Sequence, residues 1–272
     1  MRTMVALALL VAAACAEVEI PELPPETETD CTWGLFCFTT TTYADGHGVS
    51  VDFSYDGQSD TTYLLIIRTD QRSMEGGYED RIELILDGPM ERQILDLLAA
   101  PGTDFSYNWR FTVHPMDPDF TPTPEEYVYA YPFSPEGAFP VLQGPGGDGA
   151  GAHATHRGAQ ENAVDWALPI GTEILAARDG VVAVAYDGSR LRWHGHENLV
   201  IVRHDDGTFA WYGHLLPGGA FVSAGDRVTT GMPIGLSGNS GYSSEPHLHF
   251  QVSVPTPGGA EAFRSLPVRF EN

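Results

Sequence analysis

Two histidines separated by one residue stand in Pro246-His247-Leu248-His249-Phe250-Gln251-Val252, where apolar and polar residues alternate. Such alternation predicts a strand, and residues i and i+2 of a strand project from one face. The two imidazoles are therefore expected to point the same way, as half of a metal site requires, because neutral imidazole is a good zinc ligand. Taken alone, the pair also fits histidines satisfied by hydrogen bonds in a core. The helical His-Glu-x-x-His arrangement is absent, so any further ligands must come from strands and loops. A histidine and a carboxylate occur upstream, in His156-Arg157-Gly158-Ala159-Gln160-Glu161-Asn162-Ala163-Val164-Asp165. Eight of the ten histidines lie between His153 and His249, a concentration that asks for a chemical reason.

Further motifs accompany these residues in order: Pro169-Ile170-Gly171-Thr172, Tyr212-Gly213-His214-Leu215 and Gly225-Asp226-Arg227-Val228, with His247-Leu248-His249 last. Together they resemble the lysostaphin-like zinc metallo-endopeptidases, which cut peptide bonds in bacterial peptidoglycan. The resemblance covers roughly residues 129–252. It implies one Zn2+ ion held by His156, Asp165 and His249, with His214 and His247 flanking the attacking water. Two imidazoles and one carboxylate leave zinc's fourth position open, the pattern of a catalytic site. It further implies a peptidoglycan stem peptide or cross-bridge as substrate. One departure concerns spacing: many relatives place the aspartate four residues after the first histidine, whereas the gap here is nine. His153 is the alternative first ligand, but only His156 is followed by x-Gly as in the family pattern. The insertion Trp193-His194-Gly195-His196 mimics a ligand pair and reads instead as a loop beside the groove, and His204 reads as a structural hydrogen-bonding residue. Two other functions remain open: a catalytically silent protein that binds peptidoglycan or activates another hydrolase, and a secreted zinc endopeptidase acting on proteins outside the wall.

The elements that must position this chemistry read as all-β, mainly antiparallel. Residues 180–186, 199–202, 209–212 and 248–252 form short apolar strands, with glycine-rich loops at 213–219 and 237–244 leaving room for a peptide. Upstream, residues 49–53, 63–67, 81–86, 109–113 and 127–131 alternate with Gly/Asp turns and read as a β-sandwich-like domain over 31–133. Residues 90–99, with apolar positions 94, 95, 97 and 98 before Pro101-Gly102, read as a short helix. The metallo-endopeptidase domain is expected over 134–272, after a glycine-rich junction at 143–151.

Composition narrows the setting. Fourteen basic residues face 37 acids, a net charge of −23, and 25 of the acids precede residue 151. Such a surface repels phosphates, which excludes a general nucleic-acid binder. Residues 1–15 read as an export signal, with an apolar stretch too short to span a bilayer. Val11-Ala12-Ala13-Ala14-Cys15 resembles a bacterial lipobox, with Ala12 where leucine is usual, which makes Cys15 a candidate for a lipid anchor. Cleavage after Ala16 would instead release a soluble product. Either route implies export to the bacterial cell envelope and leaves Cys31 and Cys37 as an even pair, expected to form a disulfide. Residues 16–30, rich in acids and prolines, read as a solvated tether. Oligomeric state is not readable from the sequence.

Overall fold

A computed structural model describes residues 25–43, 46–57, 61–100, 103–134, 139–147, 156–190 and 196–271. The export signal, Cys15, His153 and Trp193-His194-Gly195 lie outside them. Among the described residues no helix is long and apolar enough to cross a membrane. The first eight strands are β1 (Glu26–Thr32), β2 (Phe36–Thr42), β3 (Gly48–Tyr55), β4 (Thr62–Arg72), β5 (Glu75–Tyr78), β6 (Arg81–Leu86), β7 (Met90–Leu98) and β8 (Ser106–Met116). They form two antiparallel sheets, β1-β2-β3-β7-β5 and β6-β4-β8, whose facing side chains share one core. Cys31 and Cys37 sit directly opposite each other on β1 and β2 and form the expected disulfide.

Two sequence expectations fail in this region. Residues 90–98 are a strand, not a helix. The register shifts there: Val51 pairs with Leu95 and Asp52 with Gln93, which leaves Ile94 as an extra residue in a bulge. Ile94 and Leu95 are consequently both buried, and an interrupted alternation imitates helical spacing. The expected tether also ends early, because Glu26–Thr32 is strand β1. Its side chains up to Asp30 are exposed, so composition alone suggests solvated chain, but its backbone is held along seven paired positions of β2.

The remaining strands are β9 (Val128–Tyr129), β10 (Val141–Gln143), β11 (Val164–Trp166), β12 (Glu173–Leu175), β13 (Gly180–Tyr186), β14 (Leu199–Arg203), β15 (Phe209–Gly213), β16 (Leu215–Ala220), β17 (Arg227–Val228), β18 (Pro233–Ser237), β19 (Leu248–Pro255), β20 (Phe263–Leu266) and β21 (Arg269–Phe270). The large sheet runs β10-β11-β19-β15-β14-β13-β17, with β20 also paired to β19, and β12-β18-β16 forms a smaller sheet. Within the expected loop at 213–219, residues 215–219 belong to β16 and not to open chain. β9 pairs in parallel with β21 and sends Tyr129 into the core of the large sheet, away from the sandwich.

The apolar run Leu199-Val200-Ile201-Val202 shows why the two halves are packed together. Leu199 and Ile201 join the core of the N-terminal sheets, whereas Val200 and Val202 join the core on the opposite face. A strand this continuously apolar needs cover on both faces. The N-terminal sheets provide one cover, with Trp33 lying 6.1 Å from Trp211 between ring centroids. On the other face of β4, Leu64 and Ile66 pack with Ala262 and Phe263.

A buried polar link joins the halves. His114 Nδ1–H donates to the Pro115 carbonyl, so Nε2 accepts from the Ser253 hydroxyl at 2.9 Å, and Ser253 Oγ accepts from Trp211 Nε1–H at 2.8 Å. Burial pushes the His114 imidazole down to about 3 and the His204 imidazole to about 4. Replacing Ser253 by Ala should strand two buried partners and cost roughly 1–3 kcal/mol of stability, measured by urea unfolding. For both imidazoles the unfolded chain binds the extra proton below about 6.5. Stability of the metal-free protein should therefore fall as pH drops from about 6.5 toward 4, and a flat profile would mean that these rings reach water in the folded state.

Candidate metal centre

Strand register assembles the site. On β11 and β19, Asp165 lies directly opposite His249, and on β15 Gly213 is opposite His249 from the other side. His249 is thus the middle of a three-strand row, with Asp165 on one flank and His214, one residue past β15, on the other. His247 precedes β19 and pairs with Gly238 through an isolated bridge. His156 enters from the chain just before the short 3-10 turn Gly158–Gln160. All five residues are buried, each less than 10% exposed.

Asp165 is the hub. Its Oδ1 lies 2.9 Å from His249 Nδ1, and its Oδ2 lies 3.2 Å from His156 Nε2 and 3.8 Å from His247 Nε2. Burial opposes ionisation of this carboxyl, but hydrogen bonds from His156 and His249 and the charges of His249 and His247 outweigh it and hold it well below the usual carboxylate range. For His249 burial likewise favours the neutral ring, and the hydrogen bond and charge of Asp165 reverse the balance and raise its pKa. His247 is lowered, first by burial and then by repulsion from His214.

The ligand atoms of His156, Asp165 and His249 lie within 4.8 Å of one another, so this triad could hold a metal ion. The hydrogen bonds of the triad support that use. His156 Nδ1–H donates to the Gly144 carbonyl at 3.2 Å, which turns Nε2 toward the Asp165 carboxylate. Nε2 can face that acceptor only by carrying a second proton or by sharing a cation with it. A cation held by two imidazoles and the carboxylate would answer that need at His156 Nε2.

The other two histidines stand differently. His214 Nδ1–H donates to the Ser240 carbonyl at 2.8 Å, and His247 Nδ1–H donates to the Glu245 carbonyl at 2.8 Å. Their rings are 4.3 Å apart between centroids, and in each the carbonyl is bonded at Nδ1 and not at Nε2. His214 also has a left-handed backbone, φ 60°, uncommon for a residue with a Cβ. The structure thus brings the five sequence-predicted residues together and keeps His204 apart, bonded to the Asp179 carbonyl. His196 pairs with Asp30 and Thr32 and belongs to no ligand cluster among the described residues. Sequence reasoning missed the carbonyls of Gly144, Ser240 and Glu245, because any residue type supplies a carbonyl. It also missed Glu197, 3.4 Å from His214 Nδ1, which had no flanking motif to mark it.

Residues 159–260 match the model of peptidase family M23. The likeness to peptidase family M23 is confined to this segment, a little over a third of the chain. Over 101 residues it is 38% identical to the peptidoglycan DD-endopeptidase ShyA of Vibrio cholerae, covering 37% of this chain and 22% of that protein. The peptidoglycan DD-endopeptidase ShyC of the same organism is 28% identical over 217 residues, covering 78% of this chain and 44% of its own. The chain therefore spans less than half the length of either curated relative. Lysostaphin from Staphylococcus simulans is 33% identical over 43% of this chain and 42% of the solved one, with a TM-score of 0.33.

Replacing His249 by Ala should remove one candidate ligand and the cross-strand partner of Asp165. The variant is expected to lose metal on dialysis while the wild-type chain keeps it, measured as metal per mole of protein. Retention of metal would take His249 out of the ligand set.

Proposed function

We propose that this chain is a zinc-dependent endopeptidase of the M23 kind acting on bacterial peptidoglycan, cutting a stem peptide or cross-bridge. The observation that carries the reading is the pair His214 and His247, held 4.3 Å apart beside the His156–Asp165–His249 triad with both Nδ1 atoms committed to carbonyls. A structural metal site has no use for two such rings, whereas hydrolysis needs groups that accept and return a proton. The donor set of two imidazoles and one carboxylate suits zinc and leaves a position open. When bound there, zinc acidifies water and polarises a peptide carbonyl as a Lewis acid.

The remaining chemistry belongs to the side chains. His247 Nε2, beside Asp165, is placed to accept the proton of the attacking water, and His214 Nε2 to stabilise developing negative charge or protonate the departing amine. The carbonyls behind each ring fix its tautomer, so neither must rotate to act. Peptidoglycan as substrate is supported by the relatives' printed activities, and the same comparison supports a place in the cell envelope. Anchoring through a lipid on Cys15 is a finer reading that rests on the lipobox resemblance.

Mass spectrometry of purified peptidoglycan digested by the mature protein tests the proposal. Peptide fragments that disappear with chelator and return with added zinc are expected, and their masses identify the bond. An absence of fragments with metal-loaded protein would overturn the substrate. His247→Ala should keep its zinc and lose about 10²–10⁴-fold in turnover. Loss of metal in that variant would show that His247 is a ligand.

A further inference from the structure

Glu197 lies outside the ligand set and outside every motif read from the sequence, yet its carboxylate is built into the wall behind His214. Its Oε2 is 3.4 Å from His214 Nδ1, the atom whose N–H reaches the Ser240 carbonyl at 2.8 Å. Two glycines make room for it. A Cβ on Gly213 would meet Glu197 Oε2 at 2.7 Å, and a Cβ on Gly241 would meet Glu197 Cβ, Cα and N at 2.7–2.9 Å. Gly241 also has a φ of +70°, which favours glycine on its own account. The neighbouring Asn198, fully buried, ties this wall to the same turn: its N–H donates to Ser240 Oγ at 3.0 Å and its carbonyl accepts from Leu215 N–H at 2.9 Å.

On the other side of Glu197, His196 is gripped at both ring nitrogens by the N-terminal half. Thr32 Oγ1 lies 3.1 Å from Nδ1 and Asp30 Oδ1 lies 2.8 Å from Nε2. Asp30 and Thr32 flank Cys31, so they share a face of β1 in a hairpin closed by the Cys31–Cys37 disulfide. A continuous set of contacts therefore runs from that hairpin through His196 and Glu197 to His214.

We propose that Glu197 is a positioning residue for His214, held in its slot by the grip of the β1–β2 hairpin on His196. The inference rests on the proposed role of His214 in proton transfer. His214 carries an uncommon backbone conformation, and an imidazole that must exchange protons at Nε2 depends on fixed surroundings at Nδ1. The Ser240 carbonyl accepts the Nδ1–H, and the carboxylate 3.4 Å away adds the negative charge that the carbonyl lacks.

The test uses the full-length, zinc-loaded chain, with peptidoglycan fragments as substrate. Glu197→Gln keeps the shape of the side chain and removes its charge. It should lower kcat by roughly tenfold or more, a part of the about 10²–10⁴ that a positioned proton-transfer group contributes. KM, zinc content and melting temperature should be unchanged, and Glu197→Asp should recover part of the loss. In a His214→Ala background Glu197→Gln should change nothing further, because its effect passes through that ring. His196→Ala should lower kcat in the same direction by less and add nothing to Glu197→Gln. Independently of turnover, the His214 Nδ1 resonance of the metal-free protein should move on Glu197→Gln in nitrogen NMR.

Wild-type kcat together with an unmoved resonance in Glu197→Gln would overturn the proposal. Equal losses in the wild-type and His214→Ala backgrounds would do the same, and an additive effect of His196→Ala would remove the hairpin from it. If His214→Ala itself keeps full activity, the role given to His214 fails. The resonance then still reports whether Glu197 touches the ring.

Discussion

A carboxylate sealed from water costs several kcal/mol unless donors or cations surround it, and Asp165 meets that condition through strand register. Its position opposite His249 places the carboxylate against one imidazole, and the chain before the 3-10 turn brings His156 against its other oxygen. Slipping β11 by one residue would turn Asp165 to the other face and bring a neighbouring side chain, Val164 or Trp166, into its place. The raised pKa of His249 and the low carboxyl pKa of Asp165 depend on that pairing, and together with His156 so does the capacity to hold a cation.

The pairing in turn needs a rigid sheet, and rigidity here comes from cover on both faces. β14 and β15 send alternate side chains into two separate cores, one of them shared with the N-terminal sheets. The N-terminal half is thus part of the packing behind the site. Ser253, on the same strand as His249, bonds to His114 of β8 and Trp211 of β15, which ties the strand of the triad to that half by a satisfied polar contact.

Charge patterning separates the two halves by task. Most acids precede residue 151, and those of β1 stand on an exposed edge where they discourage pairing with another chain. Around the site the negative charges are few and placed: Asp165 between the imidazoles and Glu197 behind His214. Scattered acids keep the surface hydrated, whereas these two each have an oxygen within 3.4 Å of an imidazole nitrogen.

The alternation around His247 and His249, the carboxylate at Asp165 and the ordered motifs between them were legible because strand period and ligand chemistry are local properties of the chain. The disulfide was legible too, since reading Cys15 as part of an export signal leaves Cys31 and Cys37 one pairing open to them. Residues 90–98 were misread because a bulge is decided by the partner strand, which local spacing does not contain. Residues 26–30 were misread because an exposed edge strand and a solvated tether share a composition. The carbonyls behind the histidines, the slot for Glu197 and the sharing of one sheet between two cores depend on atoms brought together from distant segments. Sequence by itself determined which groups could carry the chemistry and the period that aims them. Tertiary structure alone decided which acceptors fix each imidazole, because that depends on close approach between strands far apart in the chain.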